Sequence, residues 1–518
     1  MKTLFELSVS YLSRHLYAYV EQLSELPANC KELIIDWLVA HDQLASEQTA
    51  LLLSDARFAA NIEHVQFFLS DEVTDELLTA IGGHNHQLSR VVLVHCTRLT
   101  DVGVRAITQG QPRLRSLELR GLKNLTSQAL SGVYSPLLTT IDLSGCVKIT
   151  SDGLVSLLAR NPNVTHLYLN NCKSLDDVAL YAIASYCGSQ LRTLQLDFLS
   201  DLTDPSTAIV HLTNKCPNLL HLSLCRYFGD DQQESVLETV RCQIQCSQLR
   251  ELDLYGNFFT VLPSLPPNIT NLRLSCSGDE NLPDLTDRLL MMHSLDSVHI
   301  VLALPDGSDE HGTTTSRFLR CLLPVVGDKL TGLQVHCDVL RDEAVRAIDE
   351  HCVNVTHLCF DVDTVSSRCL FHLIASHRAR AAALRCLKLC RCNVTWRVLF
   401  TVARHCTGLT DLEMSYMYNV DDRFLKLLAH KCRRLARVNF NGCKFVRDSG
   451  LCALARSCAM LREVRVRATS VTDQCIYCLA QFCPQLEWIA HADYTGTPNF
   501  SDKALQTLRD SCVSRVIC

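Results

Sequence analysis

Apolar residues recur along almost the whole chain in the pattern L-x-x-L-x-L, in which Val, Ile, Phe or Met can replace Leu. A clear copy is Leu114-x-x-Leu117-x-Leu119. Most copies start 24–28 residues apart, and the 17 starts are at 62, 88, 114, 138, 164, 191, 219, 249, 269, 295, 330, 355, 384, 409, 435, 461 and 486. Such a period indicates stacked units that share one core.

The segment 138–163 shows what one unit predicts. Ile141 and Leu143 alternate with polar residues, which is the periodicity of a strand with one buried face. Gly145 then allows a turn, and the apolar positions of 154–158 predict an amphipathic helix. Asn-Pro-Asn at 161–163 ends that helix and leads to the next strand. Each unit therefore predicts one strand and one helix.

This unit resembles the cysteine-containing leucine-rich repeat of F-box proteins and their relatives, as read in 138–154 and again in 438–451. The resemblance implies an α/β fold. We expect a leucine-rich-repeat solenoid in the form of a horseshoe, with a parallel sheet on the concave face and helices on the convex face. The array would occupy residues 61–518, and residues 1–60 would form an N-terminal helical cap.

Two segments depart from the repeat. The unit at 249–268 is short, and its Pro263 and Pro267 cannot continue a helix, so we expect its outer side to be extended. The interval between the starts at 295 and 330 is too long. Its polar segment 305–315 predicts a flexible surface loop.

The 28 cysteines fit the repeat as packing residues. Some, such as Cys146 and Cys443, follow the strands, and others, such as Cys432, fall near helix ends. Free Cys behaves as a small buried hydrophobe. Zinc at Cys475-x-x-Cys478 is the alternative, but no second Cys pair or His pair stands at the spacing of a zinc finger. We expect no metal and no cofactor.

The N-terminal segment carries a second pattern. Thr3, Leu4, Ser8 and Leu12 match a small residue, a Leu, a small residue and an aliphatic residue, with the last three on one stripe of a helix. This resembles the BC-box, the helix by which substrate receptors dock on elongin B/C. A stripe of this kind fits a hydrophobic groove, and the small Ser8 allows close approach.

A further motif follows at 26–34. Leu26, Pro27, Cys30 and Ile34 resemble a cullin-2 box, with Cys30 at the middle apolar position and Leu33 able to share the role of Ile34. Both boxes before a leucine-rich array resemble the Zyg/Zer group of substrate receptors. That resemblance implies a substrate-recognition subunit of a cullin-2 ubiquitin ligase, with elongin B, elongin C and a RING subunit as partners.

Two other interpretations of residues 1–60 stay open. Leu26-Pro27 with Leu33, Trp37 and Leu38 also resembles the opening of an F-box, which would dock on the Skp adaptor and cullin-1. The segment would otherwise only seal the end of the core of a scaffold protein that has no ligase role.

Charge is spread unevenly along the 518 residues, although the formal net charge is only −6. Residues 61–377 hold 23 basic and 36 acidic side chains, whereas residues 378–518 hold 22 and 11. We therefore expect the C-terminal repeats to bind an acidic segment of a client protein. The candidate client-binding residues are Lys388, Tyr416, Tyr418, Arg437, Arg465, Arg467 and Trp488.

Other classes of function find no support in the sequence. It contains no nucleophile elbow, Walker loop, H-E-x-x-H motif or dinucleotide fingerprint, so we expect a protein without catalytic activity. The negative total charge argues against nucleic acid. The chain has no run of 18 apolar residues and no signal-peptide pattern at its start. We expect it in the cytoplasm, the nucleus or both.

Overall fold

A computed structural model describes residues 8, 11–12, 15, 26–40, 43–44, 49, 52–53, 55–228, 243–259, 261–278, 280–304, 307–392, 394–491 and 500–512. The chain divides into two compact units. The first comprises residues 1–257 and 263–269, and the second comprises 258–262 and 270–518. The division falls in the short, proline-containing repeat, whereas a separate module at 1–60 stays a prediction.

In the first unit, parallel strands alternate with helices along the chain, and each strand pairs with the next. The strands are β1 His64–Phe68, β2 Arg90–Val94, β3 Ser116–Arg120, β4 Thr140–Asp142, β5 His166–Tyr168, β6 Thr193–Gln195, β7 His221–Ser223 and β8 Glu251–Phe258. The helices are α1 Ala28–Ala40, α2 Ala56–Ala59, α3 Asp75–His84, α4 Asp101–Thr108, a 3-10 helix Ser127–Leu130, α5 Ser151–Arg160, α6 Asp177–Tyr186 and α7 Pro205–Lys215.

The second unit repeats this arrangement with longer strands at its start. Its strands are β9 Asn271–Cys276, β10 Ser297–Ala303, β11 Leu330–Leu340, β12 His357–Val365, β13 Cys386–Cys390, β14 Asp411–Glu413, β15 Arg437–Asn439, β16 Glu463–Arg465 and β17 Trp488–Ala490. Its helices are α8 Leu282–Met291, α9 Thr313–Val326, α10 Asp342–His351, α11 Ser367–Ser376, α12 Arg378–Ala383, α13 Trp396–His405, α14 Asp422–Lys431, α15 Asp448–Ser457, α16 Asp473–Phe482 and α17 Asp502–Ser511.

The leucine-rich-repeat fold predicted from the sequence is confirmed. A strand begins two residues after every predicted start except 330, where β11 begins at once and its pairing with β10 shifts between Val298 and His299. The Leu positions of the pattern are buried, as Leu117 and Leu119 illustrate. The shared core of stacked units therefore follows directly from the periodicity.

A tight turn after the strands ties each unit to the next. The backbone N–H of Tyr416 donates to the carbonyl of Asn441 at 2.8 Å, and that of Phe198 donates to Cys225 at 2.9 Å. The turn requires positive φ, which is 74° at Gly442. A residue other than glycine adopts a positive φ at a cost of about 1–2 kcal/mol. Among the described residues, those other than glycine with positive φ are Leu69, His95, Asn171, Phe198, Arg226, Arg391, Tyr416 and Ala468.

Buried thiols occupy the positions that the repeat assigns to them. The Sγ of Cys146 donates to the carbonyl of Leu119 in the preceding unit at 2.8 Å. Near the helix ends, the Sγ of Cys458 lies 3.4 Å from the carbonyl of Cys432. Burial raises the pKa of the Cys146 thiol to about 12, so it keeps the proton that it donates.

The two irregular segments have different physical explanations. The described residues from 261 to 278 contain no helix, as their prolines predict. The second segment, 305–315, was expected to be a flexible loop, but two carboxylates hydrogen-bond to backbone N–H groups of its described residues. Asp338 accepts from the N–H of Gly307 at 3.0 Å, and buried Asp309 accepts from the N–H groups of Thr314 and Thr315 at 3.1 and 3.0 Å.

Candidate docking helix and client surface

The BC-box positions are only partly described. Thr3 and Leu4 lie outside the described residues. Ser8 and Leu12 are both helical, with Ser8 exposed and Leu12 half-buried. Tyr11 is exposed beside them, and its ring stacks on that of His15 with centroids 4.4 Å apart. Docking through this segment stays a prediction.

Helix α1 packs against the first strand of the array. Its Glu32 carboxylate accepts from the backbone N–H groups of Glu63 and His64 at 2.9 and 2.8 Å. These groups lead into β1, whose described strand partner is β2 alone. Glu32 thus supplies acceptors at an edge where no further strand is described. The helix seals the N-terminal end of the core.

A buried lysine fixes the same helix to the segment after it. Lys31 is fully buried, and its Nζ donates to the carbonyl of Arg57 at 2.8 Å. The ammonium also lies 5.4 Å from the centroid of the Phe58 ring. A buried charge needs such partners, so the position of α1 is closely determined.

The predicted cullin-box residues lie on different sides of α1 and the turn before it. Pro27 is exposed and Leu26 and Cys30 are half-buried, but Ile34 is only 1% exposed and belongs to the core. Leu33, the alternative for the last apolar position, is 39% exposed. An incoming protein can therefore contact Pro27 and Leu33 but not Ile34.

The F-box interpretation uses the same exposed residues. Trp37 is half-buried and Leu38 is 1% exposed, so these two side chains pack towards the array. Pro27 and Leu33 are shared by both motifs. The structure therefore does not distinguish the two kinds of docking box.

Parallel register brings the predicted client residues of the second unit together. Asp411 lies beside Arg437, and Arg437 lies beside Glu463. In the next row Lys388 lies beside Glu413. A shallow groove of about 160 Å³ follows these rows, lined by Lys388, Asp411, Leu412, Glu413, Arg437, Val438, Asn439, Glu463 and Arg465.

Carboxylates balance the basic residues of that groove. The Nζ of Lys388 lies 3.3 Å from Glu413, and Arg437 and Arg465 pair with Asp411 and Glu463. Burial lowers the pKa of Lys388, but Glu413, together with Cys359 and Cys386, raises it above its ordinary value. The strand surface is thus a ladder of alternating charges, not the uniformly basic patch that residue composition suggests.

The remaining predicted client residues surround this ladder. The guanidinium of Arg465 lies 5.1 Å from the centroid of the Trp488 ring. Arg467 is exposed and has no carboxylate within 4 Å among the described residues. Tyr416 and Tyr418 lie in the turn after β14 and not on the strand, and they are 51% and 71% exposed. Client binding by these residues stays a prediction.

A second charged cluster lies on the first unit. Glu118 is buried and bridges Arg90, 2.8 Å away, and Arg120. Arg120 also lies 2.8 Å from Asp142. Burial raises the pKa of Glu118, but the hydrogen bonds from Arg120 and Arg90 lower it below its ordinary value. The cluster is charge-balanced and pairs residues of consecutive strands.

The described residues hold no group of three or more His, Cys, Asp or Glu side chains arranged to bind a metal. Cys475 and Cys478 are both buried on α16. No described helix is long and apolar enough to cross a membrane.

Comparison with known proteins agrees with the repeat fold. A family model described as "Leucine Rich repeat" matches residues 134–158 and 160–184. F-box/LRR-repeat protein 4 of Bos taurus is 25% identical over 200 residues, which cover 38% of this chain and 31% of that protein. GRR1-like protein 1 of Arabidopsis thaliana is 22% identical over 446 residues, which cover 84% of this chain and 65% of that protein. This chain spans less than two thirds of the length of either relative.

Among solved structures, a chain from the complex of Rad7 and Elc1 in yeast matches with a TM-score of 0.40 and 14% identity. The match covers 97% of this chain and 96% of that chain.

Proposed function

We propose that this protein is a substrate-recognition subunit of a cullin-type ubiquitin ligase. The observation that supports this most directly is a leucine-rich-repeat array that is similar in sequence to F-box/LRR-repeat protein 4 and to GRR1-like protein 1. The repeat surface would hold a client, and the segment before it would dock on the ligase. The chain itself would contribute proximity and orientation, while other subunits transfer ubiquitin. Such a role fits a protein of the cytoplasm or nucleus.

For the docking arm we propose elongin B/C with cullin-2 and its RING subunit. The stripe Leu4, Ser8 and Leu12 supports elongin C, because residues four apart share one helix face. Exposed Pro27 and Leu33 on the next segment support a cullin contact. Ile34 would act indirectly, by holding α1 on the array.

The F-box is the second candidate, and its supporting observation is one of the two similar proteins. That relative is named F-box/LRR-repeat protein 4. In that case the segment from Leu26 to Leu38 would dock on the Skp adaptor with cullin-1. Leu4 and Leu12 would then have no part in docking.

Affinity purification of the full chain from cells separates the candidates. Wild type is expected to recover elongins and cullin-2, and Leu4→Ala with Leu12→Ala is expected to lose them. Ser10→Ala with Ser13→Ala is the matched control, because helical spacing places both residues on the side opposite the 4–8–12 stripe.

Two other outcomes would overturn the elongin proposal. Recovery of the Skp adaptor and cullin-1, unchanged by the Leu4 and Leu12 substitutions, establishes the F-box. Recovery of no cullin at all leaves a leucine-rich-repeat scaffold whose N-terminal segment only seals the core.

A further inference from the structure

A groove of about 400 Å³ opens in the second unit between the segments that connect β14 to α14 and β15 to α15. It is lined by Tyr418, Asn419, Asp421, Asp422, Arg423, Phe445 and Arg447. We call it the turn groove. It is distinct from the charge-balanced groove on the strands, with which it shares no lining residue.

The turn groove exposes large aromatic surface. Tyr418 is 71% exposed and Phe445 is 52% exposed. Next to them, the guanidinium of Arg423 lies 5.2 Å from the centroid of the half-exposed Trp396 ring. Tyr, Trp and Arg are the residues that most often dominate the energy of protein interfaces. The groove therefore has the composition of a docking site for another protein.

The two carboxylates of the turn groove already accept hydrogen bonds from other groups of the protein. Asp421 accepts from the backbone N–H of Arg423 at 3.0 Å and pairs with the Arg423 side chain at 2.8 Å. Asp422 accepts from the N–H of Arg447 at 2.8 Å and from the hydroxyl of Ser449 at 2.5 Å. The side chains of Lys444 and Arg447 are exposed and have no carboxylate within 4 Å among the described residues. Lys444, beside the groove, and Arg447, in its lining, thus carry positive charges that form no ion pair with a described carboxylate, while Asp421 and Asp422 balance the two Arg of the lining.

The surrounding sequence has the same sign. Residues 423–447 contain eight basic and no acidic side chains. Charge complementarity therefore favours an acidic occupant. Nucleic acid fits less well, because phosphate backbones bind extended basic surfaces and the adjacent strand ladder is neutralised by Asp411, Glu413 and Glu463.

The walls of the groove are held by contacts between repeats. Backbone bridges join Asp421 to Phe445 and Arg447 to Ser470. The amide of Asn419 donates to the carbonyl of Val394 at 2.8 Å. A site that is formed before binding loses little conformational entropy when it is occupied.

From these observations we propose that the turn groove binds an acidic peptide segment that carries an apolar side chain. The apolar side chain packs between Tyr418 and Phe445, and the flanking carboxylates meet Lys444 and Arg447. Describing the peptide as part of a ubiquitination client depends on the proposed function, but the binding itself does not.

Fluorescence anisotropy of the full chain tests the proposal. The probe is a labelled 12-residue peptide of Asp and Glu with a central Leu-Phe pair, and a peptide with Lys in place of the acidic residues is the reference. We expect Lys444→Glu with Arg447→Glu to weaken binding at least about tenfold, as loss of complementary charge does at interfaces. Phe445→Ala should weaken it without changing the charge.

Arg433→Glu with Arg434→Glu is the matched control, because these exposed residues lie in the same basic segment but precede β15, whereas Lys444 and Arg447 follow β15 in the connecting segment that forms the groove. This control is expected to bind like wild type. Equal loss in both double variants would show attraction to the overall charge of the unit and overturn the proposal. A melting temperature close to that of wild type is required of each variant, and Phe445→Ala supplies an independent test if the charge reversals unfold.

Two results would identify a different binding partner for the turn groove. Self-association that the groove substitutions abolish would identify a second copy of the chain as the partner. Tighter binding of single-stranded RNA or of phosphatidylserine vesicles than of the acidic peptide would identify a polyanion surface. Either result overturns the proposal. If wild type binds the peptide but recovers no ligase subunit from cells, the proposed function fails and the groove assignment stands.

Discussion

Asp448, the first residue of α15, accepts two hydrogen bonds from Thr472 of the next repeat. The backbone N–H of Thr472 donates to Oδ1 at 2.8 Å, and its hydroxyl donates to Oδ2 at 2.7 Å. Asp101 makes the same pair of contacts with Thr126, and Asp473 makes it with Ser501. One carboxylate thus stabilises the start of its own helix and ties it to the helix that follows.

We expect Asp448→Ala to lower the free energy of unfolding by about 1–3 kcal/mol, because two hydrogen bonds between repeats are lost together with a favourable charge at a helix start. Chemical denaturation monitored by circular dichroism measures the change. Asp502→Ala is the control. Asp502 also begins a helix, but no described group donates to it, so its loss should cost below about 1 kcal/mol. Equal effects of the two substitutions would contradict a coupling between repeats.

The Asp473 carboxylate predicts a dependence of stability on acid pH. The hydrogen bond from the Ser501 hydroxyl is the main cause that lowers the pKa of Asp473 below its ordinary value. Because the folded-state pKa is the lower one, its stabilising effect is complete above the unfolded pKa of about 3.9 and disappears as pH falls through the folded pKa. The melting temperature of Asp473→Asn should therefore fall less than that of wild type below about pH 4. Parallel curves for the two proteins would exclude this contribution.

The repeat fold could be predicted because its signal is local and periodic. A strand begins two residues after the first residue of each L-x-x-L-x-L copy, and the only exception is the copy at 330. Ion pairs such as Arg437 with Asp411 depend on the register between repeats, so composition alone suggested a basic patch there. The choice between Leu33 and Ile34 depends on the rotation of α1 against β1. The turn groove was missed because Phe445 belongs to a connecting segment without periodicity, although the run of basic residues at 423–447 pointed to that region.

Gly442 is expected to be intolerant of substitution. Its φ is 74°, and a Cβ there would lie 2.7 Å from Cδ1 of the Tyr416 ring. Gly442→Ala should therefore lower the free energy of unfolding by at least about 1–2 kcal/mol. Gly83→Ala is the control, since Gly83 lies in helix α3 with no atom within 4 Å of a new Cβ and should gain about 0.5–1 kcal/mol. Denaturation midpoints that do not separate the two variants would contradict the turn geometry.

Reactivity of the thiols should follow their burial. Among the described cysteines, Cys321 is the only one that is exposed. Burial raises the pKa of the Cys432 thiol to about 12, so almost no thiolate is present there at neutral pH. N-ethylmaleimide added to the native protein should modify Cys321 within minutes, and Cys432 only after denaturation, as peptide mass spectrometry would show. Rapid native labelling of Cys432 would mean that the repeat opens readily.

Substitutions on the two sides of α1 should distinguish its structural role from its role in docking. Glu32 faces β1 and accepts from two backbone N–H groups, so Glu32→Ala should cost about 1–3 kcal/mol of stability by leaving them without that acceptor. Leu33 is the adjacent residue and is 39% exposed, so Leu33→Asp should cost about 1 kcal/mol, from the covered part of the side chain and the lower helix propensity of Asp. If α1 contacts a cullin or an adaptor, Leu33→Asp should nevertheless reduce recovery of that subunit from cells. Unchanged recovery with Leu33→Asp would leave α1 with only its structural role at the end of the core.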